Sequence, residues 1–149
     1  MAHVRTQVRD AAVAALTGLP TTGASVFKSR VYPVQERELP CLLVYMQGDF
    51  AEGQTLDVPE YQRRTAELRV EGLALAGADM EETLNEIAVE VEEVLADGLI
   101  VDGKLLAFSY AGADTELRGP EGSKEMGAIV MRFATDLLTL ASEPDALLS

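Results

Sequence analysis

Polar and apolar residues alternate most strictly between positions 65 and 71. Thr65, Glu67, Arg69 and Glu71 fall on one side, and Ala66, Leu68 and Val70 on the other. That period of two predicts a strand with one polar face. Gly72 interrupts it, and Leu73, Ala74 and Leu75 finish the run wholly apolar, so the strand over 63–76 leaves solvent as it proceeds. The period then changes. Met80, Leu84, Ile87, Val91 and Val94 recur at intervals of four and three, which predicts a helix over 79–97, ~28 Å long. Asp79 with Glu82 three residues on has the form of a capping box. Val4, Val8, Ala12, Ala15 and Leu16 give a shorter amphipathic helix over 1–17, which Gly18 and Leu19-Pro20 end.

The stretch 25–49 reads as two strands joined by a charged, proline-bounded connection. Val26, Phe27, Val31 and Tyr32 supply the first strand, with Lys28 and Arg30 interleaved, and Pro33 stops it. Pro40 opens the second. Cys41 to Met46 is too continuously apolar for a wetted face and belongs in mid-sheet. Residues 49–62 show neither period and predict a mobile loop used for contacts. After Gly98 come a short strand (99–101), a turn at Asp102-Gly103 and a long strand over 104–117. Glycine and proline at 119–123 mark a turn, and a last strand over 124–140 pairs back as a hairpin. Residues 143–149 read as a loose tail.

The pattern predicts one α+β domain of sandwich-like form. Its mixed, mostly antiparallel sheet of four to five strands carries two main helices, in the order α-β-β-β-α-β-β. The domain occupies 1–140, with 49–62 a mobile assembly loop and 141–149 a flexible tail.

Charge and chemistry narrow the function. Twelve basic against twenty-five acidic residues leave a net charge of -13, which argues against a broad basic face for nucleic acid. DNA sliding past an acidic wall remains compatible with it, because like charges repel over about a Debye length of ~8–10 Å. Cys41 is the single cysteine and His3 the single histidine, so no internal disulfide, cysteine-rich metal site or serine triad is available. Cys41 is expected as a buried thiol and His3 as a fraying surface residue. No phosphate loop occurs, and no run approaches the ~20 apolar residues of a membrane span. The expectation is a non-enzyme without cofactor or metal, made and kept in a cytosol or in something assembled there.

The helix over 79–97 exposes Glu81, Glu82, Glu86, Glu90, Glu92 and Glu93 without one lysine or arginine. Its C-terminal acids oppose the helix dipole, each by ~0.3–1 kcal/mol. Two readings stand side by side: a solvated acidic face, or carboxylates that meet cations of another copy, with Arg30, Arg37, Arg63 and Arg64 as candidates.

In Val26-Phe27, Ser29-Arg30-Val31-Tyr32-Pro33 and Glu38-Leu39-Pro40-Cys41-Leu42-Leu43-Val44-Tyr45 the chain resembles the tail terminator family of long-tailed, non-contractile bacteriophages, also called minor tail or tail-completion proteins. The N-terminal helix, Leu19-Pro20-Thr21-Thr22-Gly23, the acidic-glycine segment after Tyr45 and the acidic helix follow the same order, and the resemblance covers most of the chain. It implies an α/β subunit of a hexameric ring that caps the tail tube, ends its polymerisation and meets the head connector, with DNA passing through the hole. It also implies a virion location at the head-tail junction after synthesis in the bacterial host cytoplasm, with the major tail tube protein and head-tail connector proteins as partners. No catalytic residue comes with it. On this reading Glu86, Glu90 and Glu93 face Arg30, Arg63 or Arg64 of the next copy, and Asp49, Phe50, Glu52, Asp57 and Tyr61 belong to the tail or neck contact loop. The alternatives are another head-tail neck adaptor or connector and, from a different class, a cytoplasmic dimeric ligand-binding domain.

Overall fold

The computed structural model describes residues 2–29, 31, 33–118 and 125–148. In chain order these form α1 (Val4–Leu16), β1 (Val26–Phe27), a single 3-10 turn (Glu36–Glu38), β2 (Cys41–Gly53), β3 (Tyr61–Leu75), α2 (Met80–Ala96), β4 (Leu99–Val101), β5 (Lys104–Leu106), β6 (Ser109–Arg118) and β7 (Met126–Leu140). Five strands make one sheet in the order β1-β2-β3-β7-β6, and β4 and β5 form a separate ribbon. Only the β1–β2 pair is parallel; β2–β3, β3–β7 and β6–β7 are antiparallel. The architecture is the expected α+β one, with the small ribbon added.

Strand alternation sorts the sheet into two faces. Leu42 and Val44 of β2, Ala66, Leu68 and Val70 of β3, and Ile129, Met131, Phe133 and Leu137 of β7 are buried in one core with Val4, Val8, Ala12 and Leu16 of α1 and Leu84, Ile87, Val91 and Leu95 of α2. Both helices therefore cover the same face: α1 packs on β2, and α2 on β3 and β7. Among the described residues the other face has a small core at one end, where Cys41, Leu43, Leu73 and Ala128 meet Phe27, Val34 and Leu39. Gly72 permits the close approach of α2, since a Cβ there would lie 2.7 Å from Ile87 Cγ2 and 3.1 Å from Ile129 Cγ2. The interruption of the β3 pattern is thus a packing notch.

Several boundaries differ from the sequence reading. The first strand of the 25–49 pair is two residues long, pairing Val26 with Leu42 and Phe27 with Leu43. The proposed loop over 49–62 is mostly strand, because β2 and β3 continue pairing to Gly53–Gln62 and leave 54–60 as the connection. Its polar composition reflects two faces without a helix layer rather than a lack of structure. The strand read over 104–117 is broken at 107–108, with β5 turning to β4 and β6 to β7. Asp79 stands before α2, yet its side chain makes no capping hydrogen bond. His3 is a helix cap rather than a frayed residue, Nδ1 accepting from the Arg5 N–H at 3.1 Å.

Nor is the C-terminal segment loose. Leu147 is buried in the main core, the Leu148 N–H donates to the Leu138 carbonyl at 2.8 Å, and the Val4 N–H donates to the Pro144 carbonyl at 3.0 Å. Tail and first helix hold each other down. The expected turn at 119–123 lies outside the described residues, although β6 and β7 on either side of it do pair.

Replacing Gly72 by Ala should destabilise the fold by about 1–3 kcal/mol, since Ile87 and Ile129 are both branched and must shift. Urea unfolding checks this; an unchanged midpoint would remove the notch from the account.

Candidate functional site

Among the described residues most of the arginines are already paired within the subunit. Among the described residues, Arg9 pairs with Asp10 at 3.0 Å, Arg63 with Asp136 at 3.0 Å, Arg69 with Glu67 at 2.8 Å and Arg132 with Asp114 at 2.7 Å. Arg118 bridges Glu71 and Glu116. Glu71 is buried, so its charge depends on that guanidinium. Register puts Glu67, Arg69 and Glu71 of β3, Arg132 of β7 and Asp114 and Glu116 of β6 on the helix-free face. That face carries ion pairs both within strands, Arg69–Glu67 and Arg118–Glu116, and across them, Arg132–Asp114 and Arg118–Glu71.

The densest cluster joins α1, β2, β3 and β7. Asp49 accepts from Arg64 Nη1 at 2.6 Å and from Arg5 Nη1 at 2.8 Å, and Arg64 Nε donates to Thr139 Oγ1 at 3.1 Å. The side chains of Asp49 and Arg64 are each 11% exposed, so this is a nearly buried pair rather than a surface one. Burial works against the charged Asp49 carboxylate, but the hydrogen bonds and charges of Arg64 and Arg5 outweigh it and hold its pKa below the ordinary value. His3, beside them, is held below the usual imidazole range by burial and then by the Arg5 and Arg64 charges.

Of the residues expected to meet a neighbour, Arg64 is therefore engaged with Asp49 and Arg63 with Asp136. Arg30 lies outside the described residues. Arg37 is exposed and is the described arginine without an acidic partner. On α2, Glu86 and Glu93 are exposed, whereas Glu90 accepts from the Thr21 N–H at 2.9 Å and from Thr21 Oγ1, tying the α1–β1 turn to α2. Glu86 and Glu93 thus remain open to a partner, and Glu90 has an internal role that periodicity alone did not reveal.

The contact residues divide likewise. Asp49 is structural, and Phe50 and Glu52 stand on β2, opposite Thr65 and Arg63. Tyr61 opens β3, and Asp57 lies in the 54–60 connection. Leu56 and Val58 in that connection are 103% and 98% exposed and Phe50 is 70% exposed, so the hairpin ends in apolar side chains with no cover. Of this connection the sequence points to Asp57 alone and leaves out Leu56 and Val58, whose signal is two apolar residues inside a polar segment.

Cys41 is buried, and burial pushes its thiol up to about 12. Among the described residues no group of three or more His, Cys, Asp or Glu side chains is placed to hold a metal ion, and no helix is long and apolar enough to cross a membrane.

The whole fold has a counterpart in a solved assembly. A chain from the virion of a native gene transfer agent particle superposes with a TM-score of 0.52 over 92% of each chain, at 20% identity. At that identity the likeness is one of fold. No family model matches the chain, and no curated protein does.

Asp49→Ala should cost about 3 kcal/mol, near the low end for breaking a buried ion pair, because it leaves Arg64 buried without its acid. The same pair sets an acid limit. A carboxylate with a depressed folded pKa stabilises fully above its unfolded value of ~3.9, and that contribution is lost as pH falls through the folded value. Asp49→Asn should therefore be less stable at neutral pH but lose less between pH 4 and 2, read by chemical unfolding at each pH. Cys41 should react with a thiol reagent only on unfolding; labelling of the native protein at pH 8 within minutes would contradict its burial.

Proposed function

We propose that the chain is a structural subunit of a phage-like virion, a tail terminator that forms a ring on the tail tube, ends tube growth and joins the tail to the head connector. The observation that carries the reading is the fold shared along 92% of both chains with a component of a gene transfer agent virion. The ordered motifs from Val26 to Tyr45 support the finer assignment to a terminator, and the alternative within the same setting is another neck adaptor. On this reading the subunit is not an enzyme. Its partners are copies of itself, six in the ring, together with the tube protein and the connector, and DNA passes through the lumen without specific binding.

The surfaces suit that role. An apolar tip at Leu56 and Val58 offers a contact that needs no cationic partner, and Phe50 extends it along β2. Between copies, Arg37 is a described arginine open to the acids of α2, among which Glu86 and Glu93 are exposed. At -13 per copy, assembly is opposed by repulsion and strengthens as salt or magnesium screens it.

Absolute mass by light scattering after size-exclusion chromatography, at low salt and with magnesium, tests the reading. A six-fold mass that is favoured by screening, and rings on tube ends in electron micrographs, are expected. A fixed dimer indifferent to salt would overturn it in favour of the ligand-binding class. Glu86→Lys with Glu93→Lys should weaken ring formation about tenfold or more if α2 meets Arg37; an unchanged ring would sink that pairing alone.

A further inference from the structure

The five-stranded sheet has two open edges of matching length. β6 is ten residues long and has β7 on one side only. On the other side of the sheet, β1 covers Leu42 and Leu43 alone, which leaves residues 44–53 of β2 with an equally long free edge. Free edges carry unpaired N–H and C=O groups and template further pairing unless something blocks them. Proline occurs in neither stretch. Tyr110 and Leu117 of β6 and Phe50 of β2 are exposed beside them.

Direction matches as well. Three antiparallel steps, β2–β3, β3–β7 and β7–β6, make β2 and β6 run in opposite directions within one subunit. Copies related by rotation thus bring β6 of one against β2 of the next in the antiparallel sense, a heterologous contact of the kind that closes rings.

The heights of the two edges supply an independent check. Followed through the register, β6 lies level with residues 67–75 of β3, because Ser109 pairs with Ala134 opposite Glu67, and Arg118 with Met126 opposite Leu75. The free part of β2 lies level with residues 62–70, from Gly53 opposite Gln62 to Val44 opposite Val70. The two edges are offset by about five residues, or ~16 Å along the strands at ~3.3 Å per residue, while the four strands span ~19 Å across at ~4.8 Å each. Joining them along their full length tilts the strands by about 40° to the ring axis, inside the ~35–45° that closed sheets adopt. Nothing in the chain's own fold requires that agreement.

We infer that the subunits join through these edges, residues 44–53 of β2 against β6 of the next copy, so that β2, β3, β7 and β6 of every subunit run into one closed sheet. This rests on the ring reading above and specifies how it is built. The helix layer faces outward, because α1 and α2 share one face and the inside of a closed sheet is the narrower side. The ion-paired face then lines the lumen. In the middle of the contact, where neither bulge intervenes, Phe50 stands opposite Gly112 and Gly48 opposite Asp114, all four on the helix-free face. β1 marks the end of the contact, since a neighbour's strand that slid further would meet it.

The test uses the full chain with one cysteine on each edge. Gly48 has open space for a side chain, Asp114 is exposed, and the native thiol at Cys41 is buried. Oxidation of the Gly48→Cys, Asp114→Cys double variant at assembling concentration should convert most of the chain into a ladder of covalent multimers up to the full ring, while either single variant stays below a tenth of that. Hydrogen exchange of the unmodified protein should slow at least tenfold on assembly in 44–53 and 109–118. A ring seen by light scattering without the ladder, and with both stretches exchanging as fast as in the dilute subunit, overturns edge pairing and leaves the ring reading intact. No ring at any concentration or salt overturns both.

Discussion

Every other part of the subunit is fastened to the pairing of β3 with β7. All fifteen residues of β3, from Tyr61 to Leu75, pair with β7 without a register shift. Such a ladder leaves each strand no alternative alignment, because a slip by one residue would turn Leu68, Val70, Met131 and Phe133 out of the core. α2 rests on these two strands over the Gly72 notch, β2 and β6 attach to their outer edges, and the C-terminal segment returns along the end of β7. The two outer strands reach different distances along this plank. That difference makes the molecule asymmetric.

Charge follows the same division. Each described arginine of the strands and of α1 finds an acid nearby, Arg37 on the 3-10 turn has none among the described residues, and α2 carries acids only. The net charge of -13 is therefore unevenly spread: the sheet is nearly balanced locally, and the excess lies on the helix layer and the loops. Ion pairs on an exposed sheet face contribute little stability individually. They do let a polar face pack closely against itself without repulsion, and the buried Glu71 beside Arg118 shows how far that matching goes.

Periodicity made the strongest elements legible. The alternation at 65–71 and the four-and-three spacing of Met80 to Val94 located β3 and α2 to within a few residues, and the apolar run from Cys41 located the buried half of β2. What it could not show depends on partners distant in sequence. Residues 50–53 carry no apolar period because they are exposed, yet backbone pairing with β3 makes them strand. Arg64 reads as a surface cation until Asp49 and Arg5 are brought to it, and Glu90 as one more helix acid until Thr21 reaches it. The tail looked loose because its anchors, Leu147 in the core and backbone hydrogen bonds to Val4 and Leu138, leave no period in the sequence.

The hairpin tip has one further property. Leu56 and Val58 contribute nothing to the core, and residues 54–60 join the rest of the subunit at the ends of two strands whose pairing is fixed behind them. Substitutions at Leu56, Asp57 and Val58 can change what the tip touches while the folding of the domain proceeds as before. A lineage could exchange partners there by altering a short, separable stretch, with the scaffold inherited unchanged.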